Sequence, residues 1–481
     1  MRVCPRLVIA FGFAVAACRP HKVVHDPLPP VELPATFAAA PVDGAAAPDR
    51  FWTAFADPAL DRLIERALTG NFDLRAAWAR VEQLGALNRQ VDLRWPEVSV
   101  GASAARSRAA IPANPLFPDG STSTSDRFGV QLEAGYEVDL FRRLASQRDA
   151  VGRDSAAVLE DTAAIAITIA AEVTAAWLDL RAARAQAAAL ADQLRTTEAQ
   201  LTLLEERLRA GLGTSALDIF QQRSLVAQLR GQAAQTTAGE VAIAARLAAL
   251  CGTTPGQLTA DLDAAAPSLP EVPPLPAVGV PAELLVRRPD VAAARRRVEA
   301  ADYRVAAAVG ERYPTLRPAG SVGLSGYTIA QLIETPVYSL IASLAAPLFD
   351  GGRRKAKVAQ ERAVVQERLA GLAKALVSAA SEVETALAGE RSLLILVAET
   401  EQQLALARAT LTAARDRYRD GQIDYLPVLS AIQAEQRLAL ATIELRRQHL
   451  GLRLALYRAL GGTWARALPA PAALPLRGRH E

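Results

Sequence analysis

Polar and apolar residues alternate strictly along one stretch of this chain, residues 128–140. The even-numbered residues there are apolar or aromatic, and the residues between them are Gly, Gln, Glu or Asp. A period of two predicts a β-strand with one apolar and one polar face. Residues 98–104 alternate in the same way, so the two runs predict a β-hairpin around a loop at about 109–125.

A second hairpin is predicted by Val322 and Leu324 in one arm and by the alternating run 338–346 in the other. The two hairpins cover about 97–141 and 315–349. Since roughly 9 to 11 tilted residues cross a bilayer, the thirteen-residue run at 128–140 suits a barrel strand between lipid and a wet lumen. The alternative is a surface hairpin that packs on helices.

Four strands are too few to close a membrane barrel. An open sheet edge would leave backbone groups without hydrogen-bond partners in lipid. Copies of the chain must therefore assemble, and three copies would give an even-numbered barrel of about twelve strands.

Two proline-free stretches, 142–208 and 353–418, carry leucine and valine at heptad-like spacings. This pattern predicts coiled-coil helices on the order of 100 Å long. Return helices are predicted at about 216–250 and 426–460, with turns at Gly211 and Gly421. The predicted tips of these helical hairpins are about 209–218 and 419–428.

The chain carries an internal duplication. Gly421 lies 421 − 211 = 210 residues after Gly211, and AlaLeuCysGly at 249–252 returns as AlaLeuGlyGly at 459–462 with the same offset. A repeat of this length indicates two copies of one set of elements. The predicted division is a first repeat at 50–252, a Pro-rich linker at 253–288, a second repeat at 289–464 and a disordered tail at 465–481.

The N-terminus has two arginines, a short apolar run and small residues, which is typical of a secretory signal peptide over 1–17. Val15, Ala16 and Ala17 precede Cys18, an order that resembles a bacterial lipobox and predicts a lipidated Cys18 followed by a tether at 18–49. The alternative is a plain signal peptide with an incidental cysteine.

Charge and composition exclude several classes of protein. A net charge of +3, with basic and acidic residues interspersed, gives no basis for nucleic-acid binding. The three cysteines and four histidines are scattered and form no metal-ligand spacing. Since phosphate loops, HExxH and nucleophile elbows are also missing, we expect no enzyme activity, no cofactor and no metal site.

Several motifs in a fixed order resemble the TolC-like outer-membrane efflux proteins, in particular the NodT-like lipoprotein subgroup. They are ArgProAsp at 288–290, TyrGluValAspLeuPhe at 136–141, ProLeuPheAspGlyGly at 347–352 and the two glycine turns. The resemblance implies a homotrimeric tube in the outer membrane, with a twelve-strand β-barrel continuous with a long α-helical barrel in the periplasm. It also implies a periplasmic adaptor and a proton-driven inner-membrane pump as partners.

The expected function is a passive exit duct for drugs or other small molecules. Alternatives with the same tube are type I protein secretion and metal-ion efflux. A periplasmic adaptor or coiled-coil scaffold is a different class, against which the alternating strands and the duplication argue.

The resemblance also indicates site residues. Relatives often carry acidic residues at the mouth where this chain has Pro427 and Ser430, so an aspartate ring is not expected. Leu426 and Ser430 are the candidate pore constriction, Leu426 by dewetting, although Leu426 could equally be a core leucine of the coiled coil. The predicted adaptor-contact residues are Arg209, Gly211, Asp218, Arg419, Gly421 and Tyr425.

Overall fold

The structure is a computed structural model that describes residues 20–28, 31–32, 34–37, 45–46, 48–92, 95–112, 119, 121–211, 213–278, 283–334 and 336–472. The predicted signal peptide, Cys18 and the last part of the predicted tail, 473–481, lie outside the described residues. The chain forms two compact units, and each takes segments from both repeats. The sheet unit comprises Met1–Leu28, Glu82–Ala156 and Arg295–Gly371, and the helical unit comprises Pro29–Val81, Ala157–Ala294 and Leu372–Glu481.

Helices make up most of the described chain. In order they are α1 (Pro58–Gly70), α2 (Phe72–Gln90), α3 (Arg143–Arg209), α4 (Ala216–Leu250), α5 (Pro255–Asp263), α6 (Leu284–Arg287), α7 (Pro289–Gly310), α8 (Arg353–Arg419) and α9 (Tyr425–Leu460). The long helices α3 and α8 have 67 residues each, and their ends lie within one residue of the heptad-based expectation. Each pairs with a return helix, α4 or α9, which gives the two predicted helical hairpins.

The strands are β1 (Ala45–Ala46), β2 (Glu97–Ile111), β3 (Ser121–Gly135), β4 (Pro276–Ala277), β5 (Thr315–Gly326) and β6 (Pro336–Ala345). Four of them form one antiparallel sheet in the order β2-β3-β5-β6. The two hairpins predicted from the alternating runs are therefore joined through β3 and β5.

The expected ends of the first hairpin were wrong. The predicted loop at about 109–125 overlaps both strands, since Ile111 pairs with Ser121 and Ser107 with Ser125. The Ser and Thr residues at 121–125 are polar on both faces, so the alternation that indicates a strand is lost although the backbone pairing continues. At the other end β3 stops at Gly135, and of the remaining alternating residues Val138 still forms a bridge to Leu316.

The core of the helical unit lies where α1, α3, α4, α5 and α9 meet. Asp57 holds this region together because it caps α1 and also accepts hydrogen bonds from α3. Its Oδ1 accepts the Ala59 N–H at 3.0 Å, and its Oδ2 accepts Trp177 Nε1–H and Arg181 Nη1–H, both at 2.8 Å. Asp-Pro at a helix start is thus used for capping and for an internal ion pair.

Two segments expected to lack structure are ordered in part. The Pro-rich linker contains α5, whose Leu258 and Leu262 are buried in the core, and β4, which pairs with β1. Residues Trp464–Ala467 form a 3-10 turn, with Trp464 and Ala465 buried in the same core. The prediction that a disordered tail begins at 465 was therefore wrong for this turn. Burial of apolar side chains stabilises both segments despite their proline content.

One described helix, α3, contains an 18-residue window that is apolar enough to cross a membrane. Since 67% of that window is buried inside the structure, this stretch is a core segment of the helical bundle.

Candidate functional site at the outer sheet face and the helical tips

One face of the four-stranded sheet is a continuous apolar surface. The register places Val100, Leu132, Val322 and Tyr338 side by side across all four strands, and Val98, Ala134, Gly320 and Leu340 form the next row. Tyr338 and Leu340 are each 85% exposed in the single chain. An apolar face of this kind, uncovered by any described element, suits contact with lipid.

The opposite face is polar at the same level. Ser99, Glu133, Ser321 and Ser339 share one row, and the hydroxyls of Ser321 and Ser339 lie 2.9 Å apart. Gln131 in the adjacent row donates to Glu133 at 2.6 Å. The side chains that alternate along each strand therefore separate into an apolar face and a face suited to water, as the alternating sequence predicts.

Two of the motifs that carry the family resemblance supply an aspartate that accepts backbone N–H groups at a junction between strand and helix. Asp139 accepts the backbone N–H groups of Leu144 and Ala145, at 3.2 and 2.7 Å, at the start of α3. Asp350 accepts the N–H groups of Gly352 and Arg354, at 3.1 and 3.2 Å, at the start of α8. These carboxylates satisfy donors that a helix start leaves unpaired.

The ArgProAsp motif has an equally structural role. The Arg288 guanidinium is buried and donates to Asp290, to Glu382 on α8 and to the carbonyl oxygen of Ala459 on α9, at 2.8, 2.8 and 3.0 Å. It joins the start of α7 to both helices of the second hairpin.

Both tips turn at a glycine with positive φ, +66° at Gly211 and +70° at Gly421. After α8 the Gly421 N–H donates to the Tyr418 carbonyl oxygen and the Gln422 N–H to that of Arg417, at 3.1 and 2.9 Å, which is the Schellman pattern of helix termination. A Cβ at either glycine would meet no atom within 4 Å. The requirement for glycine is therefore conformational and not a matter of space.

A buried polar network joins the two helical hairpins just behind the tips. The Tyr425 hydroxyl on α9 donates to Gln222 Oε1 on α4 at 2.7 Å, and the Gln222 amide donates to the Thr197 carbonyl oxygen on α3 at 2.8 Å. Gln436 Nε2 donates to the Thr197 hydroxyl at 3.1 Å, and Gln193 Nε2 donates to the Gln436 carbonyl oxygen at 3.2 Å. Burial raises the pKa of Tyr425, so the hydroxyl remains a neutral donor.

The predicted contact residues of the tips differ in their accessibility. Arg209 and Arg419 are exposed, whereas Asp218 forms a capping box with Ser215 at the start of α4. The prediction that Tyr425 is an adaptor-contact residue was wrong. It is 1% exposed, packs edge-on against Tyr418 with ring centroids 5.4 Å apart, and uses its hydroxyl inside the chain.

The candidate constriction residues lie on one exposed face. Leu426 is 55% exposed, and Ser430, one turn further along α9, is also exposed and donates its hydroxyl to the Leu426 carbonyl oxygen at 3.0 Å. Val428 and Leu429, between them, are buried. Leu426 is therefore not a core leucine of this chain's own coiled coil.

Sequence reasoning missed the polar network and Gly213, a second tip glycine with φ +71°. Polar residues inside a heptad stretch were the available signal, because Gln193, Thr197, Gln222 and Gln436 interrupt otherwise apolar positions.

Comparison with known proteins agrees with this geometry. The model of the family described as outer membrane efflux protein matches residues 63–253 and 280–462. The pyoverdine export outer membrane protein OpmQ of Pseudomonas putida is 35% identical over 430 residues, which are 87% of this chain and 89% of that protein. The toluene efflux pump outer membrane protein TtgF of Pseudomonas putida is 30% identical over 420 residues, 85% of this chain and 84% of that protein.

Solved structures show the same fold. The structure of the outer-membrane channel OprN superimposes on this chain with a TM-score of 0.85 at 28% identity. The superposition covers 93% of this chain and 100% of the OprN chain. The fold that the two chains share includes the long helices and the four-stranded sheet. The chain therefore belongs to the outer membrane efflux protein family, and it is the non-enzymatic outer-membrane channel of an efflux pump, extending into the periplasm.

Proposed function

We propose that three copies of this chain form a passive exit duct of a tripartite efflux pump. The observation that carries the proposal is the four-stranded sheet with an exposed apolar face, in which β2 and β6 each pair on one side only among the described residues. Since lipid cannot satisfy a free strand edge, β2 of one copy would pair with β6 of the next. Three sheets then close a barrel of about twelve strands, which leaves no edge.

The exported molecules are small organic compounds. Support comes from the names of two relatives, which specify pyoverdine export and toluene efflux. A duct supplies no energy by itself, so a proton-driven inner-membrane pump would drive transport.

The helical tips are the docking surface for a periplasmic adaptor. Arg209 and Arg419 are exposed beside the turn glycines Gly211 and Gly421, and Asp218 contributes by fixing the start of α4 through its cap. Two equivalent tips in each copy would give a ring of six similar surfaces in a trimer.

Leu426 and Ser430 narrow the mouth of the duct. Leu426 is an exposed leucine on the first turn of α9, and a ring of three such leucines would exclude water by dewetting.

An acylated Cys18 anchors the chain in the outer membrane. The sequence before Cys18 supports this assignment. Pro20, two residues after Cys18, lines the same cavity as Phe141, which follows the end of the alternating run.

The test is retention of a fluorescent dye in cells that lack the gene and are complemented with variants. Leu132→Arg places a cation on the apolar face and should cost about 2–4 kcal/mol near the bilayer midplane, so trimers and dye export should both be lost. Gln131→Arg, one residue away on the polar face, is the matched control and should support export. Equal export by the two variants would contradict the assignment of the faces.

A further inference from the structure

The described N-terminal segment, 20–28, is held against α7 by Asp302. His21 Nε2 lies 2.8 Å from Asp302 Oδ1, and the Val24 backbone N–H donates to Asp302 Oδ2 at 2.7 Å. The His25 ring contacts Tyr303 edge-on, with centroids 6.1 Å apart. The segment therefore has a defined position on this helix, in spite of its place in a stretch expected to be an extended tether.

A cavity of about 460 Å³ lies between this segment and the junction of sheet and α3. Its volume is within the roughly 300–1,000 Å³ that small-ligand sites occupy. Phe141 and Tyr303 supply aromatic wall, and Ser146 adds a hydroxyl. The lining is amphipathic, which suits a ligand with a charged group and an apolar remainder.

The charged residues that line the cavity are all basic: Lys22 and Arg142, together with the imidazoles of His21 and His25. Two neighbouring acids offset part of this charge. Asp302 is bound by His21 and Val24, and Asp149 is 3.6 Å from Arg142 but closer, 3.3 Å, to Arg148. Lys22 is exposed and forms no ion pair among the described residues. The cavity thus has an excess of positive charge.

The place of the cavity along the sheet identifies the leaflet that it faces. Phe141 and Arg142 lie three and four residues after Val138, whose bridge to Leu316 is the last pairing of the apolar face. Phe141 stacks on Tyr313 with centroids 4.7 Å apart, and aromatic residues concentrate at the headgroup level of membranes. Since α3 leads on from this end into the periplasm, the cavity lies at the headgroups of the periplasmic leaflet.

We infer that this cavity binds the phosphate headgroup of an anionic phospholipid such as phosphatidylglycerol. Arg142 and Lys22 would pair with the phosphate, the guanidinium through two parallel hydrogen bonds, while Phe141 and Tyr303 contact the glycerol and the first acyl carbons. Basic pockets at membrane surfaces recognise such headgroups. The inference requires the outer-membrane location but not the proposed trimeric exit duct.

The experiment titrates the full-length protein, purified in neutral detergent, with dioctanoyl phosphatidylglycerol, dioctanoyl phosphatidylcholine or inorganic phosphate, and counts bound molecules by native mass spectrometry. The test variant combines Lys22→Gln with Arg142→Asn, because asparagine tolerates the positive φ of +58° at position 142. The control combines Lys374→Gln and Arg437→Gln, two exposed cations in the helical unit.

We expect phosphatidylglycerol to bind the native protein and the control alike. Each lost cation should weaken binding about fivefold, equivalent to about 1 kcal/mol, so the double variant should lose about 25-fold. If the double variant does not fold, Lys22→Gln alone should lose about fivefold. Equal affinity for phosphatidylcholine, or unchanged binding by a folded variant, would overturn the inference. Displacement by inorganic phosphate at the same concentration would assign the cavity to a free anion and overturn the lipid source.

Discussion

Removing one hydroxyl group should loosen the closed arrangement of the helical hairpins. In Tyr425→Phe the ring still packs against Tyr418, but the hydrogen bond of 2.7 Å to Gln222 is lost. Gln222 Oε1 is then buried without a donor, which costs about 1–3 kcal/mol. When the two hairpins separate, water can satisfy this oxygen and the cost disappears. The ratio of separated to closed states should therefore rise about 5- to 150-fold.

The assay is single-channel recording of the purified protein in planar bilayers. We expect a higher open probability for Tyr425→Phe, with the conductance of the fully open channel unchanged because the pore lining is the same. Tyr338→Phe is the matched control, since that tyrosine is exposed on the apolar face of the sheet and far from the network in sequence. An open probability equal to that of the native protein would refute the idea that this bond holds the hairpins together.

Three further experiments test other parts of the account. Gly421→Val should strain a turn with φ +70° by about 1–3 kcal/mol and should reduce crosslinking to the adaptor while trimers persist. Asparagine tolerates this conformation, so the control Gly421→Asn should retain the crosslink. Equal crosslinking by both variants would count against the role of the turn. Leu426→Ser should raise conductance by wetting the mouth without loss of the adaptor contact, and an unchanged conductance would place the constriction elsewhere. Mass spectrometry of the mature N-terminus should find acyl groups on Cys18, and an unmodified N-terminus at another residue would remove the lipid anchor.

The long helices and the faces of the strands could be predicted because each follows from local periodicity. Heptad spacing placed α3 and α8 within one residue, and the alternation at 128–140 assigned Val130 and Leu132 to the apolar face. The glycine turns could be predicted for a similar reason, because each turn depends only on the backbone conformation of its own glycine.

What could not be predicted depends on contacts between distant segments. The burial of Tyr425 follows from the meeting of α9 with α4 and α3. Tyr425 and Gln222 are 203 positions apart, so a polar residue in either segment alone does not identify its partner. Ser121 to Ser125 are paired although their side chains show no alternation. Leu258 and Leu262 bury a short helix inside a stretch whose prolines suggested a linker. In each case tertiary packing decides a structure that local composition leaves open.

The most direct test of the central claim is electron cryo-microscopy of the full-length protein in lipid nanodiscs. The account predicts a threefold particle in which β2 of each copy pairs with β6 of its neighbour and the faces with Val100 and Tyr338 point to lipid. A particle with a free β2 or β6 edge in the membrane, or with these residues facing the lumen, would contradict it.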